Sequence, residues 1–161
     1  MGNIDASKGV MLGVGWHYDE MPAGFRFQTK RRTITEADLG AFINLTWFTE
    51  ELFVNQSGGD ARSLQGRVVP AMMLYCFAEG LISPSMEFTG QAFLGSEIDV
   101  KGPTVVGDTI HVECEVVESR PASKGNRGLV RTRNDIVNQH GKCVVSYRPL
   151  RLVSGTSARG L

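Results

Sequence analysis

The hydrophobic pattern of the chain divides it into an apolar helix near its middle and a set of alternating strands around it. Residues 68–78 are almost all apolar and include Pro70, whose missing N–H is tolerated in the first turn of a helix. Gly80, Ser83 and Pro84 then provide typical signals for the end of a helix. A segment that is apolar on nearly every side predicts a helix buried all round. The rest of the chain should therefore wrap around it.

Strand patterns occupy much of the remaining chain. Between positions 110 and 116 the even-numbered residues are apolar and the odd-numbered ones are polar, which is typical of a strand with one buried face. Residues 138–141 form a turn motif between two such segments and predict a hairpin. The predicted strands are residues 25–29, 92–100, 109–118, 129–137 and 142–152. Because short turns join antiparallel strands, the sequence predicts an α+β fold in which an antiparallel sheet wraps around a central helix.

The remaining segments predict one more helix and several irregular stretches. Residues 36–46 carry one apolar stripe after Thr35, which can cap a helix, so we predict a helix there. Residues 47–66 predict a long connection, and loops of that length are often functional. Glycine-rich residues 1–21 predict a flexible arm, and small polar residues 154–161 predict a disordered tail. The 161 residues are interpreted as one domain, 1–161.

The composition excludes several classes of protein. Lysine plus arginine equal aspartate plus glutamate at 17 each, so no excess of charge attracts nucleic acid. Three widely spaced cysteines among apolar residues indicate buried thiols in a reducing compartment rather than disulfides or a metal site. The central helix is shorter than the roughly 20 apolar residues that span a bilayer, and the N-terminus has no apolar signal-peptide core. We expect a cytoplasmic protein without a metal, a nucleic acid or a membrane as partner.

Four motifs follow one another in the chain. They are Arg32-Thr33-Ile34-Thr35-Glu36-Ala37-Asp38, Gly66-Arg67-Val68-Val69-Pro70-Ala71-Met72, Val105-Val106-Gly107-Asp108-Thr109-Ile110 and Asn138-Gln139-His140-Gly141. Their order and spacing resemble the MaoC-like dehydratases, a family of hotdog-fold proteins, over about residues 25–153. The resemblance implies a hotdog, in which an antiparallel sheet wraps a long helix and usually dimerises. It also implies a tunnel beside the helix that binds acyl thioesters, often of coenzyme A, as in fatty acid metabolism.

The resemblance also implies a reaction. Active members of the family hydrate trans-2-enoyl thioesters to (R)-3-hydroxyacyl thioesters, or catalyse the reverse, with an Asp and a His that hold one water and transfer its protons. On this chain the family Asp falls at Phe48 and the family His at Phe53. The family glycine whose N–H binds the thioester oxygen corresponds to Ala71, which retains that N–H. We therefore expect the scaffold of the site without its catalytic pair.

Three glutamates are candidates for a replacement acid or base. Glu50 and Glu51 are the carboxylates beside the lost pair, and Glu79 follows the apolar run two helical turns beyond Ala71. Burial would raise the pKa of a carboxyl group toward the range that acid–base catalysis uses. The other interpretation is that Glu50 and Glu51 are solvated surface charges and that Glu79 marks the solvent-facing end of the helix.

The remaining candidates would contact substrate. Phe48 and Phe53 either line an acyl pocket or close it by packing. Asn55 either forms a hydrogen bond with substrate or caps a turn. Ala71 and Met72 open the central helix at the position that the resemblance assigns to the thioester.

Three functional hypotheses follow. The first is an enoyl-CoA hydratase-like lyase with a non-standard acid or base. The second is a non-catalytic subunit that binds acyl thioesters or pairs with an active hotdog chain, and the third is a thioesterase. In each, coenzyme A belongs to the substrate, no separate cofactor is needed, and the chain assembles at least as a dimer. The basic residues of 120–133 would suit the phosphates of coenzyme A, or they are ordinary surface charge.

Overall fold

Two three-turn helices and an antiparallel sheet make up most of the structure, a computed structural model that describes residues 12–55 and 66–156. The helices are α1 (Glu36–Thr46), α2 (Glu51–Val54) and α3 (Ala71–Ile82). The strands are β1 (Arg26–Gln28), β2 (Arg32–Thr33), β3 (Gly90–Val100), β4 (Thr109–Pro121), β5 (Arg127–Val137) and β6 (Cys143–Ser154). Single 3-10 turns at Tyr18–Glu20 and Ser83–Met86 precede β1 and follow α3.

The strands form one sheet in the order β1-β4-β5-β6-β3, and β2 also pairs with β4. All of the pairings are antiparallel. Helix α3 packs against β4 and β6, on the face that carries the buried side chains of Ile110, Val112 and Tyr147. The alternation predicted for β4 is therefore confirmed, as is the α+β fold with a sheet on a central helix.

Helix α1 has the bounds that the sequence predicts, because both of its ends are encoded locally. Thr35 Oγ1 accepts a hydrogen bond from the N–H of Asp38, and the Asp38 carboxylate accepts one from the N–H of Thr35 at 2.9 Å, which completes a capping box. At the other end Trp47 adopts the left-handed conformation, with φ of 62°. Buried Leu39 and Ile43 pack the helix onto the main core.

The variant Asp38→Asn is expected to lower the free energy of unfolding by about 1 kcal/mol at pH 7, the usual value of a helix cap. In the native protein, the hydrogen bond from the backbone N–H of Thr35 to the Asp38 carboxylate is the largest cause that lowers the pKa of Asp38. The Arg32 guanidinium, at 2.7 Å from the carboxylate, lowers it further. The folded-state pKa therefore lies below the unfolded-state value of about 4. The stability that the ionised Asp38 carboxylate contributes is fully present above the unfolded-state pKa, and it is lost as the pH falls through the folded-state pKa.

Urea unfolding of the native protein and of Asp38→Asn at pH 7 and pH 3 measures this contribution to stability. The difference between their free energies of unfolding should be smaller at pH 3. A difference of equal size at both values would contradict the assignment to the ionised carboxylate. The variant Thr35→Ala is the matched control, and its effect should not add fully to that of Asp38→Asn because both residues form one cap.

Helix α3 is not buried all round, and that prediction is wrong for the single chain. Met73, Leu74 and Ala78 face the sheet and are buried, whereas Met72 is 42% exposed and Cys76 is also exposed. The physical reason is that one sheet covers one side of a helix. Among the described residues, no element fully covers the opposite side.

Residues 15–21 pack against the body of the fold, although the sequence predicted a flexible arm there. The N–H of Trp16 donates to the carbonyl oxygen of Ser85 at 2.9 Å, and its ring lies 5.1 Å from that of Phe25. Aromatic side chains bury much apolar area, which the glycine-rich composition of this segment conceals. These residues close a second core cluster, which consists of Met21, Val116, Val130 and Val153 with Trp16, Tyr18 and Phe25 around it.

Two other segments predicted as irregular are partly ordered. Ser154 belongs to β6, and the N–H of Thr156 donates to the Asp19 carboxylate at 3.2 Å. Helix α2 interrupts the connection predicted for residues 47–66. Residues 1–11, 56–65 and 157–161 lie outside the described part of the chain, and the predictions made for them stay predictions.

Candidate functional site

The chain enters α3 through an extended segment held against the loop before β4. The N–H of Val69 donates to the carbonyl oxygen of Thr104 at 2.9 Å. Pro70 caps the helix with an extended ψ of 134°, so Ala71 is the first helical residue. The first N–H groups of a helix have no acceptor within it, and the helix dipole adds positive partial charge there. The half-buried Ala71 therefore stands where its N–H can act as a donor.

Three phenylalanine rings, from α1, from the connection after it and from α2, pack together. The rings of Phe42 and Phe48 lie 5.6 Å apart, and those of Phe48 and Phe53 lie 6.2 Å apart. Phe53 is only 9% exposed, and Phe42 and Phe48 pack with it against the main core. The Arg67 guanidinium donates to the Phe53 carbonyl oxygen at 2.6 Å, which ties this aromatic cluster to the segment entering α3. Phenyl rings have no group that could hold a water or transfer its proton.

Glu50 and Glu51 stand at the start of α2, on the surface. Glu50 is the residue before the helix, Glu51 is its first residue, and both are exposed. Glu51 accepts a hydrogen bond from the side-chain amide of Asn55, one turn later. The Asn55 side chain is thus engaged within its own turn, which is the second of the two interpretations given for it.

Glu79 on α3 forms an ion pair with the last strand. Its carboxylate accepts hydrogen bonds from the Tyr147 hydroxyl at 2.8 Å and from the Arg151 guanidinium at 2.6 Å. The carboxylate has therefore found a partner, although its side chain remains 26% exposed. Eight residues separate Glu79 from Ala71, or about 12 Å along the helix axis at about 1.5 Å per residue. That separation is too long for Glu79 to exchange a proton with a thioester held at Ala71.

Tyr147 and Arg151 are two residues near α3 that the sequence did not single out. Both are buried, and both face the helix from β6. Burial is the largest cause that raises the pKa of Tyr147 far above its ordinary value, and the negative charge of Glu79 adds to it. The signal was available in the alternation of β6, which places Arg151 on the same face as Val145 and Val153. An inward-facing arginine needs a buried partner, and Glu79 was the available carboxylate on α3.

The three histidines lie at the margins of the sheet. His17 Nδ1 lies 3.2 Å from the hydroxyl of Ser154, and His140 is in the turn between β5 and β6. His111 lies on the side of β4 opposite to Ile110 and Val112 and so points away from α3, where it is buried beside a cleft on the outer face of the sheet. The cleft holds about 360 Å³ and is lined by polar side chains that include Glu113, Asp135 and Arg31.

The basic residues of the β4–β5 hairpin are largely paired with acids. Arg120 and Arg131 contact Glu118 at 2.7 and 3.5 Å, and Arg133 contacts Glu115 at 2.7 Å. A hydrogen bond from Arg120 is the main cause that lowers the pKa of Glu118. These exposed pairs fit the interpretation as surface charge.

Neither a metal centre nor a membrane-spanning helix is found in residues 12–55 and 66–156. No three His, Cys, Asp or Glu side chains there are grouped so that they could hold a metal ion. None of the helices in these ranges is both long and apolar enough to cross a bilayer.

The antiparallel sheet packed on a central helix is the architecture of a hotdog protein. A family model described as "FAS1-like, dehydratase domain region" matches residues 22–147, and the chain belongs to this family. The predicted relation to MaoC-like dehydratases and (R)-hydratases of the hotdog fold is confirmed. No curated protein sequence matches the chain.

Solved structures share the fold. A putative MaoC domain protein dehydratase from Chloroflexus aurantiacus has a TM-score of 0.85 at 19% identity, over 95% of this chain and 44% of that one. An (R)-hydratase from Pseudomonas aeruginosa has a TM-score of 0.62 at 24% identity, over 86% of each chain. A Mycobacterium tuberculosis protein described as a double hotdog fold has a TM-score of 0.75 at 16% identity, over 91% of this chain and 46% of that one. The chain thus spans about half the length of two of these proteins.

Proposed function

We propose that the protein is a cytoplasmic hotdog subunit that binds acyl thioesters, those of coenzyme A included, without hydrating them. The observation that carries this proposal is the packed aromatic cluster of Phe42, Phe48 and Phe53. Hydration requires groups that hold water and move its protons at this position. Packed phenyl rings exclude water instead, so the non-catalytic hypothesis is favoured over the lyase and the thioesterase.

The three candidate glutamates also support a non-catalytic subunit. Glu50 and Glu51 are exposed to solvent, whereas a replacement acid or base works best in a desolvated site. Glu79 is held by Tyr147 and Arg151 and lies two helical turns away from Ala71. The exposure of Glu50 and Glu51 and the ion pair of Glu79 therefore argue against a role for any of the three in activating water.

The start of α3 supports thioester binding. A thioester carbonyl oxygen is a hydrogen-bond acceptor, and the N–H of Ala71 is a donor at the positive end of a helix. Met72 is exposed beside it and offers an adaptable apolar contact. The acyl chain would then run along α3, over the apolar face of the sheet.

The free edge of the sheet supports pairing with a second hotdog unit. Strand β3 ends the sheet order, and its outer edge pairs with no strand among the described residues. Phe93, Ile98 and Val100 on this strand are exposed. A long apolar edge is a template for pairing. We propose that β3 pairs with the same strand of a second copy or with an active hotdog chain.

Purified protein is expected to show no hydration of crotonyl-CoA, because the groups that hold and deprotonate water are absent. Loss of absorbance of the enoyl thioester measures this, with an active (R)-hydratase as the positive control. Turnover at about 1–1,000 per second, the range of ordinary enzymes, would refute the proposal. Should weaker activity be found, Glu50→Gln and Glu51→Gln are expected to leave it unchanged.

The variant Ala71→Pro is expected to weaken acyl-CoA binding about fivefold to thirtyfold, since it removes one N–H donor. Proline is suited to the first helical position, and the extended ψ of Pro70 is compatible with a following proline. The stability of the fold should therefore change little. Isothermal titration with decanoyl-CoA gives the affinities, and Ala71→Gly, which retains the N–H, is the matched control. Equal affinities for both variants would show that this N–H does not bind the ligand.

A further inference from the structure

A group of polar side chains lies on the inner face of the sheet, beside the second half of α3. Tyr147 and Arg151 on β6 both donate to Glu79, as described above. On the neighbouring strand β5, Asn134 pairs in register with Tyr147, and Thr132 faces the same side two residues earlier. Asn134 is 1% exposed and Thr132 is similarly buried. We call Thr132, Asn134 and Tyr147 the distal polar cluster.

Asn134 and Thr132 have polar atoms that the described residues leave unsatisfied. The amide nitrogen and oxygen of Asn134 and the hydroxyl of Thr132 are buried without a hydrogen-bond partner there. The Asn134 amide lies beside the Tyr147 hydroxyl, but the two form no hydrogen bond of acceptable geometry. Each buried polar group without a hydrogen-bond partner is destabilising. A ligand group that paired with them would recover this free energy, so they form a ready-made recognition site.

The charges of this region select the kind of ligand group. The negative charge of Glu79 and the positive charge of Arg151 neutralise each other within one ion pair. What is left for a ligand is an amide and a hydroxyl, which are neutral donors and acceptors. An additional carboxylate or ammonium group would be buried without a counter-charge, which is unfavourable. The cluster therefore suits a hydroxyl or keto oxygen.

The position of the cluster determines how far along the acyl chain the hydroxyl or keto oxygen must lie. Glu79, which contacts Tyr147, is about 12 Å along the helix from Ala71. An extended carbon chain advances about 1.25 Å per bond, because each bond of about 1.5 Å is inclined to the chain axis, so a chain that spans this distance needs about ten carbons. The Tyr75 ring packs on the Tyr147 ring with a centroid distance of 4.8 Å and provides an apolar wall on this route.

We propose that the distal polar cluster recognises a hydroxyl or keto group near the far end of a medium-length acyl chain, an inference that rests on the proposed binding of acyl thioesters at Ala71. The protein would thus select oxygenated acyl chains over plain ones. A site built to satisfy a substrate hydroxyl discriminates strongly against an analogue that lacks it, because its own polar groups then remain unpaired.

Isothermal titration with decanoyl-CoA and ω-hydroxydecanoyl-CoA tests this proposal. The hydroxylated ligand is expected to bind about tenfold more tightly, as one additional hydrogen-bonded group allows. In the double variant Thr132→Val and Asn134→Leu the two ligands should bind equally, with the affinity for decanoyl-CoA unchanged or increased. Thr132→Val alone is isosteric and should reduce the preference at least twofold, which keeps the test available if the double variant does not fold.

The outcomes separate the two proposals. Equal affinities of the native protein for both ligands would overturn the selection of an oxygenated chain while thioester binding stands. A preference for the hydroxylated ligand that both variants retain would place its recognition elsewhere and overturn the role of the cluster. Binding of neither ligand would overturn thioester binding itself, and the inference with it.

Discussion

The variant Glu79→Leu is expected to lower the free energy of unfolding by about 3 kcal/mol. It leaves the Arg151 guanidinium buried without its carboxylate and removes the acceptor of the Tyr147 hydroxyl. Loss of one partner of a buried pair costs about 3–5 kcal/mol, and the lower end applies because the Glu79 side chain is 26% exposed. For a domain of this size, the melting temperature should fall by about 6–12 °C.

Urea unfolding of single and double variants identifies the cause. In Glu79→Leu combined with Arg151→Met, most of the lost stability should return, because the two apolar side chains replace the whole pair. The variant Glu51→Leu is the matched control at an exposed glutamate and should change stability by less than about 0.5 kcal/mol. A double variant as unstable as the sum of the two single variants would contradict the coupling of Glu79 with Arg151.

The variant Ile98→Glu is expected to abolish the dimer that we propose forms through β3. Ile98 is 38% exposed on the edge strand β3, where it pairs in register with Tyr147 of β6. Pairing of two β3 strands would bury this side chain, and a carboxylate there would be desolvated with its counterpart from the second copy nearby. We expect the dimer dissociation constant to rise at least about a hundredfold, or about 2.7 kcal/mol.

Sedimentation equilibrium gives the masses of both proteins. The control is the variant Val117→Glu. Val117 is also apolar and has a similar exposure, 43%, but it lies on β4, a strand that already pairs with a strand on each side. This variant should remain a dimer. If native protein is monomeric at all concentrations, β3 is not a self-association edge, and pairing with an active hotdog chain becomes the form of the proposal to test.

The sequence predicts well those elements whose determinants are local. The start of helix α1 is fixed by Thr35 and Asp38, which are three residues apart and cap each other. Strand β4 follows from an alternation that any single strand displays. By contrast, the burial of Trp16 depends on contacts with Phe25 and with the turn after α3, which no local pattern indicates. The exposure of Met72 depends on how much of α3 one sheet can cover.

In the candidate site, too, the sequence predicts the features that depend on local residues and does not predict those that depend on distant ones. The place of Ala71 at the start of a helix was predicted from its motif, and the packing of Phe48 and Phe53 was one of the two interpretations given for them. The partners of Glu79 were not, because Arg151 lies 72 residues away along the chain. Thr132 and Asn134 were overlooked because polar residues in a strand normally face solvent. Their neighbours Arg131, Arg133 and Asp135 are charged and occupy the outer face of the sheet. Thr132 and Asn134 alternate with them and therefore face α3 on the inner face.

The second core cluster sets the limits of what can be excised or fused. The residues shared with the family run from 22 to 147, but Trp16 and Met21 lie before that stretch and Val153 lies after it. A protein trimmed to the shared stretch would lose one wall of this cluster and the end of β6, and would expose Val116 and Val130 to water. The part of the chain needed for a complete fold is thus longer than the stretch that the family model matches.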